Sequence, residues 1–70
     1  MLMEFTPHEF AELYREIYTD LYRYALYALG NAEDAADVVS DAVLDGFRQR
    51  ESLRERGRFR PWMFDILANK

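Results

Sequence analysis

Apolar residues return at intervals of three and four from Phe10 onward. Phe10, Leu13, Tyr14, Ile17, Leu21, Tyr24 and Ala28 fall on one face of a helix that turns about 100° per residue. Tyr18, Tyr22 and Leu29 widen that face to roughly half of the cylinder, more than one neighbouring helix covers. The pattern predicts a helix that packs against two others or keeps aromatic surface for a partner. Capping chemistry sets its limits. Thr6 offers a hydroxyl to the first free N–H groups, Pro7 suits the first helical position, and Glu9 completes a capping box. Gly30 supplies the stop, because glycine enters the left-handed conformation without steric penalty. A helix over 7–29 follows.

The next periodic stretch is built from smaller residues. Ala35, Val38, Val39, Ala42, Val43 and Gly46 form its inner face, with Asn31 as cap and Glu33 and Asp34 in the first turn, where the helix dipole favours anions. This predicts a second helix over 32–49. Small residues let helix axes approach closely, so the first helix is expected to lie tightly against it. The connection is short enough to make the two antiparallel neighbours. The segment E-S-L-R-E-R-G-R-F-R, Glu51 to Arg60, has no sustained apolar period and contains Gly57, so it reads as a frayed helix end followed by a loop. Pro61 suits a first helical turn, and Trp62, Met63, Ile66 and Leu67 form a compact apolar stripe, predicting a third helix over 61–70. No stop signal follows it, and the reading is of one domain, 1–70, cut within its last helix. The expected fold class is all-α, a compact three-helix domain.

Seventy residues hold one small core, which at this size supplies about 3–5 kcal/mol of net stability. There is no cysteine, which excludes disulfides and thiolate metal sites. Five Phe and five Tyr argue against disorder. The longest apolar run, Tyr24–Leu29, is far short of the roughly 18 residues of a membrane span, and Met-Leu-Met-Glu-Phe lacks the basic flank of a signal peptide. A cytoplasmic chain that does not engage membranes is expected.

Net charge is −4, but the charge is divided. Met1–Phe47 sets Arg15 and Arg23 against ten acids, whereas Arg48–Lys70 sets six Arg and one Lys against Glu51, Glu55 and Asp65. Such asymmetry implies either two partners of opposite charge or two halves that attract each other. Asp34, Asp37, Asp41 and Asp45 lie on an arc opposite the small-residue face of the second helix, and Leu44 falls among them. Like charges at this spacing oppose helix formation by a few tenths of a kcal/mol per pair, roughly. The stripe is either an ordinary solvated face or a docking surface for a basic partner, with Leu44 as the anchor that loses water. Arg48 to Arg60 places six guanidinium groups around Phe59, a composition suited to single-stranded nucleic acid: charge follows phosphates and a ring stacks on bases. The alternative is that Glu51 and Glu55 pair with Arg54 or Arg58.

Catalytic chemistry has little support. Hydroxyls are confined to the tyrosines and to Thr6, Thr19, Ser40 and Ser52; the single His8 sits at a helix start, and nothing pairs a nucleophile with an oriented base. Four carboxylates on one straight helix diverge, whereas a metal cage needs ligands from facing elements. No enzyme, no metal and no cofactor are expected.

In order, the chain reads F-x-x-L-Y-x-x-x-Y-x-x-L-Y-R-Y-A-L at Phe10–Leu26, G-N-A-E-D-A-A-D-V-V-S-D-A-V-L-D-G-F at Gly30–Phe47, and F-R-P-W-M-F-D-I-L-A-N at Phe59–Asn69. Together these blocks resemble region 2 of a bacterial RNA polymerase sigma factor of the small, extracytoplasmic-function type. The resemblance implies a purpose for both charged surfaces. The second helix is expected to dock on the basic clamp helices of the largest subunit of core RNA polymerase, through the matching positions Asp37, Ser40, Asp41 and Leu44. The loop and third helix are expected to recognise and melt the promoter −10 element by holding flipped bases of the single-stranded non-template strand, through Arg54, Arg56, Arg58, Phe59, Arg60 and Asn69. Trp62 matches a family tryptophan and is assigned to packing in preference to base contact. An anti-sigma factor is a further partner that the resemblance allows. Ser40 stands where the family usually has Gln, and Asp65 where a basic residue is usual. The family's continuing basic helix and the second domain, which reads the −35 element, have no counterpart in these residues. Polymerase binding is therefore expected to exceed promoter binding. The alternative from another class is an acidic helical interaction domain that never meets DNA.

Overall fold

The computed structural model describes residues 4–70 and contains three helices, α1 (Pro7–Leu29), α2 (Ala32–Arg48) and α3 (Phe59–Ala68). Two single 3-10 turns, Arg50–Ser52 and Arg56–Arg58, join α2 to α3. The all-α, three-helix architecture is the one the periodicity implies. Both halves of the capping box are present: the Glu9 N–H donates to Thr6 Oγ1 and the Thr6 N–H to Glu9 Oε1, each at 3.1 Å. Phe5 and Phe10, the residues flanking this box, bring their rings to 5.8 Å and form the hydrophobic staple that fixes how the chain enters α1. Gly30, at φ 70°, turns the chain in the left-handed conformation and donates its N–H to the Leu26 carbonyl at 2.7 Å. Asn31 then caps α2 by accepting the Asp34 N–H at 3.0 Å.

The third helix starts two residues earlier than Pro61, at Phe59. Proline tolerates this position because no N–H of the first helical turn has an acceptor inside the helix. Helix α2 ends at Arg48, one residue short of the expected limit.

The core contains Phe10, Ile17, Leu21 and Ala25 from α1, Ala35, Val39 and Ala42 from α2, and Phe59, Met63 and Leu67 from α3. Tyr24 and Ala28, expected on the inner face of α1, are exposed, and Ala25 is buried in their place. Ala25 and Ala35 make this part of the interior from methyl groups, so the Tyr24 ring sits at the rim, edge-on to Phe64 at 5.7 Å. The small-residue face of α2 serves α3 as well as α1. A Cβ on Gly46 would lie 2.6 Å from Met63 Sδ, so the absence of a side chain there is what lets α3 approach. Two further core residues, Phe5 and Leu53, belong to no α-helix. Phe5, Phe10 and Phe59 meet in mutual contact at the end of the bundle where the loop returns, and Phe47 packs edge-on to Phe10 at 5.4 Å. That aromatic cluster carries the α2–α3 connection.

Candidate functional site

Asp37, Ser40, Asp41 and Leu44 are all exposed on α2. Their spacing of three, four and seven keeps them on one face. Among the described residues neither Asp37 nor Asp41 forms an ion pair, so their charge is open to a partner. Leu44 stands among them with 51% of its surface accessible. Asp45 differs from the rest of the acidic stripe. It is half-buried, lies 3.8 Å from Arg48 and accepts from Lys70 Nζ, two residues past the end of α3, so it ties α2 to the chain after α3 instead of facing outward.

The arginine segment is folded where a flexible loop was expected. Leu53 is buried between the two 3-10 turns and anchors them to the core. Arg50 donates from Nε to the Phe5 carbonyl at 2.8 Å and from a terminal nitrogen to the Phe47 carbonyl at 2.9 Å, with its guanidinium 4.1 Å above the Phe47 ring. Arg56 lies 4.0 Å above the Phe5 ring and 3.6 Å from the Glu9 carboxylate. The latter distance is an ion-pair contact, too long for a hydrogen bond. Arg60 bonds Asp20 on α1 at 2.8 Å and lies over Phe64. Attraction between the two oppositely charged halves thus accounts for Arg56 and Arg60.

The residues expected to contact nucleic acid are consequently divided. Phe59 is 3% exposed, edge-on to Phe10 and Phe5, and cannot stack a base without leaving the core. Its assignment as a stacking platform is corrected: it is a packing residue, held there because α3 begins with it. Arg56 is turned onto Phe5 and Arg60 onto Asp20. Asn69 is exposed at the C-cap of α3 and donates its side-chain amide to the Asp65 carbonyl at 2.9 Å. Arg54 and Arg58 remain together. They line an open groove of about 450 Å³ with Leu53, Pro61 and Trp62, and with the carboxylates of Glu55 and Asp65 at its edge. Arg58 is only loosely held, 3.5 Å from Glu55 with both side chains three-quarters exposed, and Arg54 has no ion pair among the described residues.

Trp62 does two things here. One part of the indole packs on Phe59 at 5.9 Å, and the rest forms a wall of the groove. The sequence reading favoured packing over base contact for this residue, and the structure gives the indole a share in both the core and the groove wall. A half-covered aromatic wall beside two guanidinium groups can accept a planar ring and the anion attached to it.

Residues 13–70 match the sigma-70 region 2 family. A curated relative from Haemophilus influenzae, described as a probable RNA polymerase sigma factor, is 30% identical over 56 residues, covering 80% of this chain and 29% of that protein. The chain thus spans less than a third of the length of that relative. No solved structure matches it. The matched residues take in most of α1, all of α2 and α3, and the loop that forms the groove; the chain belongs to the sigma-70 region 2 family.

Proposed function

We propose that this chain acts as the region 2 module of an extracytoplasmic-function sigma factor, with the α2 ridge docking on the basic clamp helices of core RNA polymerase and the groove holding an unpaired base of the non-template strand at the −10 element. The observation that carries this reading is the ridge itself: two carboxylates with no ion-pair partner among the described residues share one face with a half-exposed leucine, on a helix whose opposite face packs into the core. The isolated fold gains little from that arrangement, since it places like charges side by side and leaves apolar surface wet. Docking would cover Leu44 and set basic side chains against Asp37 and Asp41. Ser40, small and uncharged, leaves room between them.

On the other surface, Arg54 and Arg58 supply the charge for phosphate and Trp62 the face for a base. Extruding a base requires a few kcal/mol, roughly, and a groove whose walls are already in place recovers more of it than one that must first be ordered. Glu55 and Asp65 lower the net charge of this surface, which supports docking on polymerase as the stronger of the two interactions.

Leu44 lies outside the core, so Leu44→Ser tests docking without testing folding. The variant is expected to keep its melting temperature and to bind a clamp-helix fragment about fivefold to tenfold more weakly, the loss of a partly buried leucine side chain. Unaltered affinity would remove the anchor from the account. The competing reading, an interaction domain that never meets nucleic acid, draws on the internal use of Arg50, Arg56 and Arg60. It predicts no oligonucleotide binding by the intact chain even at low salt.

A further inference from the structure

We infer that Phe5, which precedes α1 and lies outside the span matching the family, is a positioning residue for the strand-reading loop; the inference rests on the groove assignment just made. Phe5 is 2% exposed although no helix contains it. A hydrophobic staple explains its contact with Phe10, but not its other three. Its ring stands edge-on to Phe59, the first residue of α3, at 6.2 Å. The Arg56 guanidinium lies over the ring at 4.0 Å, and the backbone carbonyl accepts from Arg50 Nε at 2.8 Å.

Arg50 opens the first 3-10 turn and Arg56 opens the second. One residue therefore grips the loop at both turns, and the stretch between the grips, Ser52 to Glu55, is the loop side of the groove. The grip on Arg56 depends on the aromatic ring. Nε and one terminal nitrogen of that guanidinium are shielded from solvent and have no hydrogen-bond partner among the described residues. The ring face and the Glu9 carboxylate at 3.6 Å are what hold it. Without the ring, the shielded guanidinium gains more from water than from staying, and the second turn moves with it. Arg54 and Arg58 then lose their fixed positions beside Trp62, while the α2 ridge is untouched.

The test separates a staple from a positioning role. Phe5→Leu keeps apolar volume against Phe10 and removes the ring beneath Arg56; Arg50→Lys keeps the charge and removes the Nε donor. Each intact variant is titrated with a short fluorescein-labelled single-stranded deoxyoligonucleotide at low salt and, separately, with a clamp-helix fragment. Circular dichroism monitors folding. The expected result is oligonucleotide binding weakened by about threefold to tenfold in both variants, the range of a partly shielded cation–ring contact or the net worth of one intramolecular hydrogen bond. Fragment binding and helicity stay unchanged. If Phe5→Leu fails to fold, Phe5→Met, which also keeps apolar volume without the ring, takes its place, because Arg50→Lys removes the bond to the Phe47 carbonyl as well. Undiminished oligonucleotide binding by the folded variants overturns the role of Phe5. So does weakening by Arg50→Lys but not by a folded Phe5→Leu, because the loop would then be held through the Phe47 carbonyl. Equal weakening toward both ligands also overturns it, as a general loss of structure. An unaltered chain that binds no oligonucleotide overturns the groove assignment itself, and the role of Phe5 with it.

Discussion

Gly46→Ala is the smallest change that challenges the packing between α2 and α3. The added Cβ would sit 2.6 Å from Met63 Sδ and 3.5 Å from both Met63 Cε and a ring carbon of Trp62. Carbon–sulfur contacts are comfortable nearer to 3.5–4.0 Å, so the sulfur must move by roughly 1 Å. Methionine is adaptable, but Met63 is fully enclosed, and its displacement has to be passed on to Trp62 or to the helix axis. Overpacking of this kind destabilises by about 1–3 kcal/mol, against a gain of about 1 kcal/mol from replacing glycine with alanine inside a helix. The net loss, around 1 kcal/mol, corresponds to a fall in melting temperature of about 4–8 °C for a domain of this size. Thermal unfolding followed by far-ultraviolet circular dichroism measures it. The reasoning also fixes a reversal of sign. In a Met63→Val background the sulfur is gone, and Gly46→Ala should then raise the melting temperature. A higher melting temperature for Gly46→Ala in the otherwise unaltered chain would refute the claim that the missing side chain sets the spacing of α2 and α3. Where Met63 passes its displacement to Trp62, the same substitution weakens oligonucleotide binding while leaving the ridge face intact.

Other consequences are accessible to simple measurements. Burial, and secondarily the neighbouring Tyr18, push the Tyr14 hydroxyl above its ordinary value of 10.0. The folded chain holds that proton more tightly than the unfolded chain, so the contribution is fully present below pH ~10 and is lost as pH rises through the folded value. Tyr14→Phe should flatten the decline of urea-unfolding stability above that pH; an identical decline would place the effect elsewhere. For the groove, the double variant Arg54→Gln/Arg58→Gln should reduce the slope of log K against log salt for single-stranded DNA by about 1.4, the value for two phosphate contacts. Arg60→Gln should change it far less, since Asp20 already engages that guanidinium. Equal effects at the two places would show that the tethered arginine also reaches phosphate.

The parts of this fold that could be read in advance are those determined by residues close together in sequence. Thr6, Glu9, Gly30 and Asn31 act on backbone groups within four positions, and the ends of α1 and the start of α2 were legible for that reason. Phe5 and Leu53 were not. Each is a single apolar residue in a stretch without periodicity, and its burial exists only because the chain returns to the same end of the bundle. The role of Arg50 shows the same limit, since its acceptor, Phe5, lies 45 residues away. An arginine beside aromatic residues fits an internal strut or a phosphate contact equally well by composition. Only the three-dimensional arrangement distinguishes Arg50, Arg56 and Arg60, which brace the fold, from Arg54 and Arg58, which line the groove. The acidic ridge was readable because helical spacing alone places Asp37, Asp41 and Leu44 opposite the small-residue face. Asp45 shared that spacing but met Lys70 from the chain just past α3, a contact the pattern along one helix cannot contain.

The most direct measurement is a calorimetric titration of a clamp-helix fragment of the largest polymerase subunit into the intact chain. It is to be compared with Asp37→Lys/Asp41→Lys and with Glu12→Lys/Glu16→Lys, a control on α1 with the same change in net charge. Close charge pairs at interfaces contribute about 1.5 kcal/mol or more each, so reversing two carboxylates on the ridge is predicted to abolish measurable binding. The control is predicted to retain binding, apart from a modest salt-dependent reduction. Undiminished binding by the ridge variant, or the same loss in both, would contradict the assignment of α2 as the docking face.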